Sequence, residues 1–306
     1  TLFTITNRRN STKQKNLTMR QYLSIGLFAL LVLSLAGSCG SRDTKPQLPG
    51  NLDTLCMPDY ASGFEMYRYD SSTLLRIVNP WQGADSVSQW VFLSRDDEKP
   101  PKGFDGETIN VPARRIVCMS SSYVAFLEAL GADSTICAIS GTGYIWSDKV
   151  RSRIAKEEIA EAGFDNSLNF EKLVALKPDV VFLYGLAGEN AVTDKLHELG
   201  LKTVYIGDYV ENNPLGRAEW ITVFGEFTGR RELARTLFDS ISNEYNRAKA
   251  LVSGVEKRPE VMLNAPWQDS WFVPGDRSYM VRLLEDAGGN YACFYITLPV
   301  RNGHPA

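Results

Sequence analysis

Short apolar runs alternate with helically spaced apolar residues from about residue 112 onward. Four runs have the length and composition of buried strands, at residues 115–119, 136–139, 180–183 and 203–207. Between them, residues 124–131, 170–176 and 191–199 carry apolar side chains at helical spacing. Strands that alternate with helices over short connections predict a parallel sheet wrapped by helices. Ligands bind such sheets outside the carboxyl ends of the strands.

A different pattern precedes this region. Residues 64–69, 74–78 and 90–93 alternate like strands, and turn-forming segments at residues 70–72 and 79–83 separate them. We therefore predict a small β meander over residues 51–110, followed by an α/β lobe over residues 111–214.

Two amphipathic helices follow the predicted lobe, over about residues 215–227 and 231–252. Five residues mark the predicted buried stripe of the second helix: Leu237, Ile241, Tyr245, Ala248 and Leu251. At about 1.5 Å per residue, this helix is long enough to connect two lobes. Residues 215–254 are therefore predicted as connecting helices. A strand at residues 260–264 and a helix at residues 279–290 then begin a second lobe over residues 255–306.

The first 50 residues have the layout of an export signal and a tether. Arg20 precedes an apolar run at residues 22–33, and small residues 36–38 stand directly before Cys39. The run is shorter than the roughly 20 residues that a membrane span requires. Residues 19–38 resemble a bacterial lipoprotein signal with Cys39 as the lipidated residue, although Ala36 stands where such signals usually carry leucine. The alternative is an ordinary secretory signal in which Cys39 has no role.

The remaining N-terminal segments are assigned by composition. Residues 1–18 lack a methionine at their start and read as an upstream extension. Residues 39–50 read as a polar tether that lets an anchored domain stand off a membrane. We therefore expect a location in the periplasm or cell envelope.

Charge and cysteine content narrow the possible functions. The chain has 306 residues and a net charge of −3, with no clustered basic surface for nucleic acid. Apart from Cys39, the cysteines show no spacing suited to zinc. Cys118 and Cys137 lie in apolar, strand-like runs, so we predict buried free thiols.

The segment at residues 167–185 carries a family resemblance. Its Asn-Phe-Glu followed by Leu-Val-Ala-Leu-Lys-Pro-Asp-Val-Val resembles periplasmic substrate-binding proteins of ABC importers for ferric siderophores and cobalamin. The likeness covers roughly residues 114–290, including Gly-Gly-Asn at residues 288–290. In that family the glutamate faces the permease, so the resemblance implies that Glu171 docks there. The alternative is an ordinary acidic residue that the helix dipole favours in a first turn.

The resemblance also implies the architecture and the partners. It implies an α/β fold with two Rossmann-like lobes joined by a long rigid helix, acting as a monomer with two inner-membrane permease subunits. The family normally presents a second glutamate from its second lobe. Residues 292–306 do not contain that segment, so we expect an incomplete second lobe, through truncation, a frameshift or incomplete assembly.

The candidate ligand residues follow the predicted strands of both lobes. Aromatic rings with a few hydroxyls suit a large, flat, partly apolar cargo such as a corrin, a porphyrin or a metal chelate. For each aromatic residue the alternative is a place in the core. The candidates are Ser121, Ser122, Tyr123, Gly143, Tyr144, Trp146, Tyr184, Gly185, Trp267, Trp271 and Phe272.

Other functions have weaker support. A bare metal ion is disfavoured because the chain has only two histidines, His197 and His304, and haem bound through a tyrosine stays open. No nucleotide-binding or hydrolase motif is present, so we expect neither catalysis nor a cofactor other than the cargo. A hydrolase using Ser122 would require a histidine base, and a surface scaffold lipoprotein is a third possibility.

Overall fold

The computed structural model describes residues 53–164, 167–185, 191–265 and 271–292. A five-stranded sheet comes first, with its strands in chain order. Neighbouring strands are antiparallel except for the last pair, which is parallel. The three predicted strands are present, and two further strands flank them. The strands are β1 (Asp53–Cys56), β2 (Phe64–Tyr69), β3 (Ser72–Val78), β4 (Ser88–Ser94) and β5 (Glu107–Asn110).

A parallel sheet follows, and it confirms the predicted strand and helix alternation. Its order is β10-β9-β6-β7-β8, and every neighbouring pair is parallel. The strands are β6 (Ile116–Cys118), β7 (Ile136–Ile139), β8 (Ala160–Glu161), β9 (Val180–Leu183) and β10 (Thr203–Tyr205). The helices are α1 (Ser121–Ala129), α2 (Asp148–Ala155), α3 (Phe170–Leu176) and α4 (Ala191–Glu198).

Three helices lead out of the parallel sheet. The prediction of one helix over residues 215–227 was wrong, because the structure has α5 (Pro214–Glu219) and α6 (Ile221–Thr228). The break lies at Trp220, which is fully buried. Its indole N–H donates to Glu211 over 3.1 Å, and its ring packs on that of Phe64 at 5.0 Å. Tertiary packing of one tryptophan thus coincides with the interruption of an otherwise helical pattern.

The long helix α7 (Arg231–Leu251) buries a face beside the predicted one, since Leu237 packs against the core and Tyr245 is half-buried. Ala234, Phe238 and Ser242 are its buried residues, whereas Ile241 and Leu251 are 43% and 75% exposed. The cause is the contact with α6, where a Cβ atom on Gly225 would lie 2.5 Å from that of Ala234. Close packing at this glycine places Ala234 on the buried face, and Tyr60 contacts Phe238 and Ser242 on the same face.

A small parallel unit follows α7. β11 (Glu260–Val261) pairs in parallel with β12 (Asn290–Tyr291), and α8 (Tyr279–Asp286) lies between them in sequence. The strand and the helix are both shorter than predicted. The guanidinium of Arg217 lies 3.9 Å from the centre of the Tyr279 ring, so this unit contacts α5 directly.

The two larger sheets share one apolar core. Phe64 and Leu75 of the first sheet belong to the same buried cluster as Phe182 of β9 and Phe224 of α6. Cys118 and Cys137 are buried free thiols, as predicted. The first sheet is therefore packed into the fold and is not a separate appendage.

Two buried carboxylates tie the start of the first sheet to the helices. Glu219 accepts hydrogen bonds from the backbone N–H groups of residues 59–61 at 2.8–2.9 Å. Glu211 accepts from those of Ser62 and Gly63. Backbone donors that satisfy a buried carboxylate fix the chain in register, because either group would be costly to leave unpaired.

Candidate functional site

The carboxyl ends of the parallel strands form the candidate site. Because all five strands run in the same direction, the loops after β6 to β10 meet along one edge. We call this the carboxyl edge. It carries the candidates of the first lobe, and the following paragraphs take them loop by loop.

The serines after β6 lie at the start of α1. Ser120 is the N-cap residue, and its Oγ accepts a hydrogen bond from the backbone N–H of Ser122. Ser121 is exposed and Ser122 is half-buried. The Ser122 hydroxyl lies 3.0 Å from that of Ser120, and it counteracts the rise that burial causes in the pKa of Asp208. Both serines therefore lie at the edge, one of them within a polar network.

The assignment of Tyr123 to the ligand site was wrong. Its side chain is fully buried, and its hydroxyl donates to the carbonyl oxygens of Leu183 and Ile206, each 3.2 Å away. Because Ser120 begins a helix, Tyr123 falls on the inward face of α1 and packs against Phe182 and Phe224. Tyr123 is a core residue that ties the ends of β9 and β10 together.

Glu161, at the end of β8, organises the loop after β7. Its carboxylate accepts from the backbone N–H groups of Gly141, Thr142 and Gly163 at 2.7–3.0 Å. Gly141 has a φ of 77°, a conformation that favours glycine. Burial raises the pKa of Glu161, but the hydrogen bonds from Thr142, Gly141 and Gly163 outweigh it and leave that pKa lowered. An ionised glutamate thus holds this loop in place.

Three exposed aromatic residues extend from the loops after β7 and β8. Trp146 is 90% exposed, Tyr144 is 70% exposed and Phe164 is 51% exposed. A Cβ atom on Gly141 would lie 2.9 Å from the ring of Tyr144 and 3.4 Å from that of Phe164, so these two rings are close neighbours. Gly143, within the same loop, is also exposed. We call Tyr144, Trp146 and Phe164 the aromatic surface.

Phe164 was not identified as a candidate residue from the sequence. It follows β8, which has only two residues and therefore no apolar run to mark a strand end. Tyr144 and Trp146 follow the four-residue strand β7, whose apolar run was visible.

The residues directly after β9 and the turn after β10 are covered. Tyr184 is half-buried and packs against the apolar core. Gly185 is buried, and a Cβ atom there would lie 2.8 Å from the ring of Trp81 in the first sheet. Its carbonyl oxygen accepts from the Tyr209 hydroxyl over 2.5 Å. The prediction that Gly185 faces a ligand was therefore wrong, because Trp81 occupies the space above it.

Asp208 was not identified from the sequence either. It lies in the short 3₁₀ turn after β10 and is buried, with 7% of its surface exposed. Burial raises its pKa, and the Ser122 hydroxyl and the Arg217 guanidinium only partly offset that rise. Arg217 also donates to the carbonyl oxygens of Tyr209 and Glu211 and thereby holds the turn against α5.

Candidates from the second lobe are partly described. Phe272 is 76% exposed, and its carbonyl oxygen accepts from the Asn264 side chain over 2.7 Å. Trp271 is half-buried. Trp267 lies outside the described residues, as does Cys39.

Glu171 is exposed in the first turn of α3. Asn169 caps this helix by accepting from the backbone N–H of Lys172 over 2.9 Å. A helix that connects two parallel strands runs back across the sheet, so α3 starts near the carboxyl edge. Glu171 is therefore free to contact another protein, and its role stays a prediction.

His197 lies at the opposite edge of the sheet. Its Nε2 atom is 2.7 Å from the Thr203 hydroxyl, at the start of β10, and 3.5 Å from a carboxylate oxygen of Glu107. Ser122 lies beyond the other ends of the strands, so these two residues do not form a nucleophile and base pair. Within the described ranges, no three His, Cys, Asp or Glu side chains are placed to hold a metal ion. No helix in that same part of the chain is both long and apolar enough to cross a bilayer.

Two curated relatives are lipoproteins by name. They are uncharacterized lipoproteins from Methanocaldococcus jannaschii. One is 27% identical over 89% of this chain and 73% of its own length. The second is 27% identical over 81% of this chain and 63% of its own length, so the chain spans less than two thirds of that relative.

Solved structures to which the chain is similar include two periplasmic binding proteins. One is a possible iron-binding periplasmic solute-binding protein from Staphylococcus epidermidis, with 22% identity, 59% of this chain and 67% of that chain covered, and a TM-score of 0.48. Another is the periplasmic heme-binding protein HutB of Vibrio cholerae, with 19% identity, coverages of 58% and 65%, and a TM-score of 0.47.

The family assignment rests on the sequence profile. The profile of periplasmic binding proteins matches residues 116–294, which is more than half of the chain and includes the whole parallel sheet, α7 and the start of the second lobe. The chain therefore belongs to the periplasmic binding protein family.

Proposed function

We propose that this chain is the substrate-binding lipoprotein of an ABC importer and that it captures a metal chelate, either a ferric siderophore or a cobalamin-type compound. Cys39 carries the lipid that anchors it to a membrane of the cell envelope. The permease subunits of the inner membrane receive the cargo from it. Membership of the periplasmic binding protein family supports the class of function.

The aromatic surface supports a metal chelate as the cargo. Tyr144, Trp146 and Phe164 expose half or more of their area at the edge where α/β sheets bind ligands. Rings left in water at such a place are typical of a binding surface, because burying them against a ligand is favourable. A chelate with flat apolar parts and polar groups on its rim matches these rings and the neighbouring Ser121.

Haem is the second cargo to test. Tyrosine can bind haem iron directly, and the phenol of Tyr144 is 70% exposed on the aromatic surface. Haem binding through Tyr144 would be lost in Tyr144→Phe, whereas stacking alone would survive that substitution.

Calorimetric titration tests the proposal. The full chain is titrated with cobalamin, a panel of ferric siderophores and haem, with the matching iron-free siderophores as controls. We expect saturable one-to-one binding of one chelate. Binding of none of them would overturn the proposal. Ester hydrolysis that is abolished in Ser122→Ala would replace it with a hydrolase function.

The docking role of Glu171 has a test of its own. We expect Glu171→Ala to keep its cargo affinity and to bind more weakly to the importer reconstituted in liposomes. Glu232→Ala is the matched control, because Glu232 is also an exposed acidic residue in the first turn of a helix. Equal docking by both variants would show that Glu171 only complements its helix dipole.

A further inference from the structure

The first sheet reaches the carboxyl edge through one loop. This loop, residues 79–87, joins β3 to β4 and includes Pro80, Trp81 and Gln82. Trp81 packs edge-on against Tyr205 at the end of β10, with ring centres 5.2 Å apart. The glycines that follow β9 and β10 leave room for the loop, because they have no side chain. Cβ atoms would lie 2.8 Å from the Trp81 ring at Gly185 and 3.2 Å from Pro80 at Gly207.

Hydrogen bonds fix the position of this loop. The backbone N–H of Gln82 donates to the Tyr209 hydroxyl over 3.3 Å, and that hydroxyl donates to Gly185. At the base of the loop, Asn79 and Val87 exchange two hydrogen bonds of 2.8 and 3.0 Å. The loop is therefore built onto the parallel sheet at a defined place.

A second contact aligns the two sheets beside the loop. The Gln89 side chain of β4 donates to the carbonyl oxygen of Thr203 and accepts from the N–H of Tyr205, both over 2.9 Å. Gln89 thus takes the place that a neighbouring strand would have along β10. The first sheet consequently cannot slide along the edge without losing paired backbone groups.

The exposed part of the loop has binding chemistry. Trp81 is half-buried and Gln82 is exposed, so a partly accessible aromatic ring lies beside a free amide. The ring covers the end of β9, whereas the aromatic surface lies past β7 and β8, on the other side of β6. The serines after β6 lie between these two sets of aromatic residues.

We propose that Trp81 and Gln82 form one wall of the cargo site, so that the first sheet sets the size of the chelate that fits between this wall and the aromatic surface. This inference rests on the proposed function. Trp81 contacts an apolar part of the cargo, and the amide of Gln82 hydrogen-bonds a carboxylate or amide on its rim. The first sheet is then a determinant of specificity.

Affinity measurements on variants of the full chain test this wall. The probe is the chelate that the wild-type chain binds in the titration, together with a larger and a smaller chelate of the same class. We expect Trp81→Ala to weaken the affinity for the cargo about tenfold, which is in the range of a contact residue at a binding interface. It should also improve the binding of the larger chelate relative to the cargo. Gln82→Ala should weaken the affinity for the cargo about threefold, because it removes one hydrogen bond.

The matched control is Trp90→Ala. Trp90 is a half-buried tryptophan of the same sheet, and its ring contacts Arg76 and Tyr67. It should leave the cargo affinity unchanged. Gln82→Ala and Trp81→Phe keep the test decisive if Trp81→Ala fails to fold, because the first changes an exposed side chain and the second retains a ring.

The outcomes separate this inference from the proposed function. Suppose that the wild type binds a chelate and that Trp146→Ala lowers the affinity for it. If Trp81→Phe and Gln82→Ala then leave that affinity unchanged, the wall is refuted and the proposed function stands. If the wild type binds no chelate at all, both are refuted. Weaker binding in both loop variants, with no change in Trp90→Ala, supports the wall.

Discussion

The two ends of the carboxyl edge differ in what covers them. At one end, after β7 and β8, Glu161 holds a loop that leaves aromatic rings in solvent. At the other end, after β9 and β10, Trp81 and Pro80 of the first sheet pack over two glycines. We call these the open end and the covered end. A single sheet thus leaves aromatic rings exposed at one end and uses the other end to hold an additional sheet.

The difference extends to the carboxylates of the two ends. Glu161 at the open end receives several hydrogen bonds from backbone groups and keeps its charge, with a lowered pKa. Asp208 at the covered end is buried within the turn after β10, and burial raises its pKa. The open end is therefore organised by an ionised group, whereas folding disfavours the ionised form of the acid at the covered end.

The largest effect is expected where the first sheet, which covers one end of the edge, is fastened to the helices. Glu219→Ala removes the acceptor for three backbone N–H groups in residues 59–61, and Glu219 is fully buried. A hydrogen bond to a charged group contributes about 1.5–3 kcal/mol, and Glu219 makes three of them, so we expect the free energy of unfolding to fall by about 3 kcal/mol or more. Urea unfolding followed by circular dichroism measures it.

The control for Glu219→Ala is Glu244→Ala. Glu244 is exposed on α7 and pairs with Arg247 at the surface. This substitution should change the free energy of unfolding by about 0.5 kcal/mol or less. If both variants unfold at the same urea concentration, the buried carboxylate of Glu219 does not hold the first sheet in place.

At the open end we expect the reverse, a loss of binding without a loss of stability. Trp146→Ala removes a ring that is 90% exposed, so the free energy of unfolding should stay within about 0.5 kcal/mol of wild type. The affinity for the cargo should fall about tenfold, as for a contact residue at an interface. Trp146→Phe should recover part of it. An unchanged dissociation constant in Trp146→Ala would remove the aromatic surface from the cargo site.

Much of the parallel sheet was predictable because its signals are local. The run Val180–Leu183 and the helix before it stand next to each other in the sequence, and both form where the pattern indicated. Cys118 and Cys137 could be placed inside because apolar neighbours flank them. Strand β8 could not be found, because two residues are too few for a period to be visible.

The errors at the candidate site have a common cause. Tyr123 follows three serines and resembles a loop residue, but Ser120 caps a helix and thereby turns Tyr123 inward. The burial of Gly185 depends on Trp81, more than one hundred positions earlier. Contacts of this range leave no periodic trace in the sequence. The exposure of Tyr144 and Trp146 depends on no such contact, and their part in ligand binding stays a prediction.

The smallest expected effects concern pH and compare the two carboxylates directly. The pKa of Glu161 is lowered by folding, so its stabilising contribution is present above the ordinary value of about 4.3 and is lost as pH falls through the lowered value. Glu161→Gln should therefore be less stable than wild type at pH 7, and the deficit should shrink as the pH falls below about 4.

For Asp208 the sign is opposite. Its pKa is raised by folding, so between about 3.9 and that raised value the folded chain binds more protons than the unfolded chain. Its contribution to stability therefore falls as pH increases. Asp208→Asn should be more stable than wild type at pH 7, with an advantage that disappears toward pH 4 and below. Urea unfolding of both variants at several pH values from 7 downward measures the two trends. If both substitutions change the free energy of unfolding with the same sign at pH 7, folding has the same effect on the ionisation of both carboxyl groups. Opposite signs at pH 7 would show that only the open end depends on an ionised group.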